Sequence, residues 1–179
     1  MRLAICYTGK FGSTRQYATW LAEATGAPVF DLAKEEPDIS AFDAFILGSS
    51  IIVMKPTIKD WLTAHWPALR EKPILLFTVS GTEPGHPNLE IWLRNHLPDI
   101  ILDSIDYVPL RGRLNIRELP WLVRLSLWIA SLLEPDPHGK QRMRHGFDFM
   151  DRDSLRPILH WVDTHGQLIP ATEEAAGVS

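Results

Sequence analysis

The sequence predicts an α/β domain built on a doubly wound, five-stranded parallel sheet of order 2-1-3-4-5, with an extra apolar helix before the last helix. Three observations carry this expectation. Short apolar runs of strand length alternate with segments of helical spacing. The first run ends directly on a Gly/Ser/Thr-rich loop that opens a helix. The length, 179 residues, suits one domain.

The alternation can be followed along the chain. Leu3–Tyr7 is a first strand, and Ser13–Thr25 a helix with Tyr17, Ala18, Leu21 and Ala22 on one face. Pro28–Leu32 and Phe42–Gly48 read as the second and third strands. Asp38–Ala41, between them, is too short for a full crossover helix. Thr57–Leu69 is helical, with Trp61, Leu62 and Trp66 on one side, and Pro73–Val79 is a fourth strand. Asn88–Leu97 is a helix, Ile105–Leu110 a fifth strand, and Asp153–His165 a closing helix that turns Leu155, Ile158, Leu159 and Val162 inward. Apolar strands alternating with amphipathic helices argue for a parallel sheet covered on both faces. Residues 1–169 therefore read as one domain and 170–179 (PATEEAAGVS) as a flexible tail.

Composition narrows the class further. Hydrophobic residues make up 45% and charged residues 22%, the balance of a globular protein. Cys6 is the single cysteine, so no intrachain disulfide can form, and cytoplasmic residence is the simpler expectation. The start, MRLAICYTGKFG, lacks the apolar core of a signal peptide, and no uninterrupted apolar stretch reaches the roughly 18 residues of a membrane span. The seven histidines are scattered without a metal-binding pair, so no metal site is expected. No Ser/His/Asp or Cys/His arrangement marks a nucleophile, no catalytic residue can be named, and nothing points to nucleic acid.

The chemistry concentrates at Thr8, Gly9, Lys10, Phe11, Gly12, Ser13 and Thr14. Two glycines allow a tight turn and close approach of backbone N–H groups, three hydroxyls add hydrogen-bonding capacity, and a helix begins there. A phosphate satisfies all of these together. Other phosphate loops fail on spacing. No Lys follows Gly12 as a Walker loop requires, and Gly9 and Gly12 cannot supply G-x-G-x-x-G. Asp31 accordingly reads as a turn or cap residue rather than a ribose-binding acid.

The run Y-T-G-K-F-G-S-T-R resembles the phosphate loop of flavodoxin-like proteins. Two further stretches resemble the flavodoxin-domain group that contains menaquinone-dependent protoporphyrinogen IX dehydrogenase: D-A-F-I-L-G-S-S-I-I-V-M-K and F-D-F-M-D-R-D-S-L-R-P-I-L-H-W-V. The resemblance spans about Met1–His165 and implies a flavodoxin-like fold holding FMN. It implies that Gly9 to Thr14 bind the phosphate. Ser49, Ser50, Ile51, Ile52 and Val53 would line the isoalloxazine. Ser80, Gly81, Thr82 and Glu83 would face its polar edge. Where the group has an aromatic residue, this chain has Ile52. The implied activity is FMN-dependent, quinone-linked oxidation in porphyrin biosynthesis. A flavodoxin-type electron shuttle and a cofactor-free interaction module remain as alternatives. His86, in the loop after strand four, either reaches over the flavin or is a solvated loop residue.

One segment exceeds the minimal plan. Residues 116–133 form a helix candidate that is apolar on most sides, with Arg117, Arg124 and Ser131 as a narrow polar stripe. Between Leu110 and Gly146 lie seven basic and three acidic residues, a local +4. The other 11 basic and 19 acidic residues leave −8 on the rest of the chain. Such a helix packs across its own domain, pairs with a second copy, or meets a membrane surface, peripherally at its inner face. Its partners would then be a redox protein, or a lipophilic quinone or porphyrinogen.

Overall fold

The computed structural model describes residues 1–118, 120–133, 135 and 137–168. The expected tail, 170–179, and Leu119 of the apolar segment lie outside the described residues.

Five parallel strands form the sheet: β1 (Leu3–Thr8), β2 (Val29–Asp31), β3 (Ala44–Ile52), β5 (Ile74–Ser80) and β6 (Asp106–Arg111). Their order, β2-β1-β3-β5-β6, is the doubly wound order expected from the sequence. A short strand, β4 (Lys55–Pro56), pairs antiparallel with the end of β3. Because successive side chains point to opposite faces, each strand feeds two cores. Leu3, Ile5 and Tyr7 of β1 join Ala44, Ile46, Leu75 and Phe77 beneath α1 (Ser13–Thr25) and α7 (Arg156–Leu168). Ala4 and Cys6 join Phe45, Leu47, Ile74 and Leu76 beneath α2 (Lys59–Leu69), α3 (Pro87–Arg94) and α4 (Asp99–Leu102). Cys6 is fully buried, and burial pushes its thiol up to about 12. It packs as a small hydrophobe.

The boundaries of α1 coincide with the expected ones. Strand β3 runs four residues past the expected end at Gly48, because Ile51 and Ile52 find antiparallel partners in Pro56 and Lys55. The Asp38–Ala41 connection holds a 3-10 turn at Ile39–Ala41, capped by the Asp38 side chain. The closing helix begins as a 3-10 turn at Arg152–Leu155 before continuing as α7.

Beyond β6 the chain makes the excursion suspected from the sequence. A two-stranded neck, β7 (Arg113–Leu114) paired antiparallel with β8 (Phe147–Asp148), closes its base. Above the neck stand α5 (Trp121–Leu133) and α6 (Pro137–His145). The second of these rises from a stretch rich in Pro, Asp, Gly and His. Pro137 at the first position of α6 starts a helix rather than breaking one, since its missing N–H is unneeded there.

Candidate functional site at the carboxyl edge of the sheet

The loops that leave β1, β3 and β5 gather at one edge of the sheet, where a doubly wound fold places its ligand. The β1 loop is built for close approach. Gly12 has φ +84° and caps α1 without a side-chain hydrogen bond, so the N-cap residue itself places no side chain over the first amides of the helix. The first turn of α1 carries no acidic residue, which leaves the positive end of the helix dipole uncompensated. Gly9, Lys10, Phe11 and Gly12 are exposed. Gly9 is needed for space: a Cβ there would lie 2.9 Å from Ser50 Oγ and 3.0 Å from Thr14 Cβ.

Ser13 and Thr14 are buried, and their oxygens are engaged within the protein. Thr14 Oγ1 lies 2.8 Å from Ser50 Oγ, joining the first loop to β3. Ser13 Oγ donates to the Arg113 carbonyl at 3.1 Å and accepts from the Arg113 amide at 2.9 Å. Thr8 Oγ1 lies 2.6 Å from Thr57 Oγ1, and Thr57 also donates to the Thr8 carbonyl. The hydroxyls therefore shape the loop, and the exposed backbone of Gly9 to Gly12 remains to meet a ligand.

The β3 segment divides in two. Ser49 is fully buried; its oxygen accepts from the Ile58 amide at the start of α2 and lies 3.3 Å from Thr57 Oγ1, the partner of Thr8. Ser50 faces Thr14. Ile51 and Ile52 are half-buried, and Val53 is 84% exposed. Val53 and Met54 turn the chain between β3 and β4 with φ of 48° and 63°. A two-residue hairpin turn with both φ positive matches a type I′ turn, a conformation that favours Asn and Gly and that a β-branched residue adopts under strain.

The β5 loop is clamped from the excursion. Ser80 Oγ accepts from the Thr82 amide, and the Ser80 carbonyl accepts from the Gly112 amide. The Phe147 ring sits against Gly81, where a Cβ would come within 2.7 Å of it. Phe147 stacks on Phe149, and the Arg111 guanidinium lies 3.5 Å from the centre of the Phe149 ring. Arg111 also pairs with Glu83 at 3.7 Å. Among the described residues Arg111 Nε has no hydrogen-bond partner; the ring face beneath it offsets part of that cost.

Residue types and spacing did not single out Arg111, Arg113, Thr57, Phe147 or Phe149. The two phenylalanines stand in the F-D-F-M-D-R-D-S-L-R-P-I-L-H-W-V stretch that carries the family resemblance. The expected turn role of Asp31 is observed. Its carboxylate accepts from the Ala33 amide and pairs with Lys34 at 2.8 Å, and the Lys34 hydrogen bond, foremost among the causes, holds its pKa below the usual range. His86 caps α3, its Nδ1 accepting from the Asn88 amide, and it is exposed. Among the described residues no three His, Cys, Asp or Glu side chains gather as a metal would require.

These features define a doubly wound α/β protein with a phosphate-type loop and an apolar strand end converging at one edge. The chain belongs to the Flavodoxin domain family, whose model matches residues 4–139. No curated protein matches it. Among solved structures it is similar to the Trp repressor binding protein of Bacillus subtilis, at 14% identity and TM-score 0.46, covering 83% of this chain and 99% of that one. It is also similar to a flavoprotein in complex with FMN from Lactobacillus acidophilus NCFM, at 13% identity and TM-score 0.44, covering 62% and 91%. A flavodoxin from the domain Archaea matches at 14% identity and TM-score 0.42, covering 80% and 92%. At these identities and scores the likenesses add nothing to the fold already described.

Proposed function

We propose that this protein binds FMN at the carboxyl edge of its sheet and acts as an oxidoreductase toward a lipophilic partner. The type is that of a quinone-linked protoporphyrinogen dehydrogenase, met peripherally at the inner face of the membrane. When bound, the flavin supplies one- or two-electron redox chemistry. The residues present fit it. The exposed backbone of Gly9 to Gly12 and the uncapped start of α1 suit a phosphate. Ile51 and Ile52 offer an apolar wall. Phe147, packed on Gly81, adds an aromatic surface that the Ile52 position lacks. The 80–83 loop offers polar backbone, held in place by Gly112 and Arg111.

The observation that carries the lipophilic partner is the root of the apolar excursion. Its neck is hydrogen-bonded to Ser13 of the phosphate loop, so the apolar helix is anchored beside the site. A flavodoxin-type shuttle, which docks on proteins by charge, does not call for such a helix.

The test has two stages. The purified protein, incubated with excess FMN, should show a flavin visible spectrum, whereas FAD and nicotinamide nucleotides should not be retained. The loaded protein should then pass electrons from a porphyrinogen to a quinone. Absence of bound flavin rejects the whole reading. Bound flavin without quinone reduction rejects the enzyme reading and leaves the shuttle.

A further inference from the structure

The apolar side of α5 is turned to solvent. Trp121 is 69% exposed, Leu122 60% and Trp128 52%, and Leu125, Ile129 and Leu132 accompany them. At about 100° per residue these six positions occupy an arc of roughly 120° on the helix. The polar stripe runs along one edge of that arc, with Arg124 exposed beside Trp121 and Trp128. Ser131 is fully buried, and its hydroxyl accepts from Arg144 Nε of α6 at 3.0 Å. An apolar face this broad is ordinarily buried; here it meets solvent. Burial within the domain, one of the outcomes expected for this segment, is thereby set aside.

We propose that this face docks on an anionic phospholipid surface, α5 lying in the interface and a lipid phosphate entering the groove between α5 and α6. The inference builds on the peripheral membrane contact proposed above and is independent of the flavin. The groove, about 430 Å³, is lined by Ile116, Trp121, Leu125 and Trp128 together with Arg124 and Arg144. Aromatic walls beside two guanidiniums suit an anionic headgroup with its acyl chains alongside.

Charge selects this occupant. Residues 110–146 carry +4 and the rest of the chain −8. An anionic bilayer attracts the first and repels the second, which directs α5 to the surface. A symmetric pair of copies through α5 would set a net +4 against a net +4. Among the described residues no helix is long and apolar enough to cross a membrane. The 13 residues of α5 extend about 20 Å, short of a hydrocarbon core of about 30 Å. Lying on the surface is the geometry open to it.

The experiment is co-sedimentation of the full chain with vesicles of phosphatidylglycerol and phosphatidylcholine, against phosphatidylcholine alone, at low and high salt. Two variants accompany the wild type: Trp121→Ser with Trp128→Ser, and Arg124→Gln with Arg144→Gln. Far-UV circular dichroism, flavin uptake and molar mass in solution are recorded for each. The wild type should bind the anionic vesicles at least tenfold more tightly than the neutral ones, with loss at high salt. Each variant should weaken that binding about tenfold or more while keeping flavin uptake. If the tryptophan variant fails to fold, the arginine variant decides the outcome. Wild type that stays in solution, binds neutral vesicles equally, or forms a dimer that the tryptophan variant abolishes overturns the proposal. Vesicle binding without any flavin uptake overturns the FMN reading and upholds the docking face.

Discussion

Ser13 and Arg113 are bound to each other twice: the serine hydroxyl donates to the arginine carbonyl and accepts from its amide, at 3.1 and 2.9 Å. One hydroxyl thus fastens the start of α1 to the first residue of β7, a hundred positions away. The phosphate loop and the root of the excursion therefore form one unit, and a change in either is felt by the other.

Replacing Ser13 by Ala should destabilise the protein by about 1–3 kcal/mol, the cost of leaving a part-buried backbone pair without its partner. Urea unfolding gives the number. The same variant should loosen the neck, seen as faster amide exchange at Arg113 and Leu114 than in wild type. Equal exchange in the two proteins would show that the neck is held by β8 alone.

Gly9→Ala should be more damaging at the site than in the fold. The new methyl meets Ser50 Oγ at 2.9 Å and forces apart the Thr14–Ser50 pair. Overpacking of this kind costs about 1–3 kcal/mol, and flavin titration should register a fall in affinity. Adding Ser50→Ala removes the colliding oxygen and should restore part of the lost stability. A double variant no more stable than Gly9→Ala would place the strain elsewhere in the loop.

The Val53–Met54 turn invites a stabilising change. Both residues hold positive φ, and Val53 is exposed, so little packing is lost on replacement. Val53→Asn with Met54→Gly should raise stability by about 1–2 kcal/mol, the cost of the left-handed region for residues that avoid it. Denaturant midpoints at constant slope provide the check. If flavin affinity falls while stability rises, the strained turn serves the site.

Acid should weaken the fold partly through Asp43. Its carboxylate accepts from the Arg2 guanidinium and the Arg2 amide, and those bonds hold its pKa below the usual range, the guanidinium contributing most. A depressed folded pKa gives stability that is present above the unfolded value, near 3.9, and is lost as pH falls through the folded value. Asp43→Asn should flatten stability against pH below about pH 4, measured by urea unfolding across that range. An unchanged acid limb would show that Arg2 and Asp43 are decoupled in solution.

What the sequence determined by itself was whatever rests on local period. The apolar runs of β1 and β5 and the face of α1 at Tyr17, Ala18 and Leu21 follow from alternation and helical spacing, and a parallel sheet covered on both faces follows from apolar strands alternating with amphipathic helices. The loop at Gly9–Gly12 was legible because glycine spacing and a helix start are neighbours in the chain. Tertiary structure alone decided three things. Phe147 reaches Gly81 across 66 positions, a contact that no local pattern encodes. The hydroxyls of Ser13 and Thr14 were absorbed by Arg113 and Ser50, because a buried hydroxyl takes the nearest partner the fold supplies. The outward turn of α5 is tied to α6: Arg144 gives the buried Ser131 its partner, and Trp121 and Trp128 are left facing out.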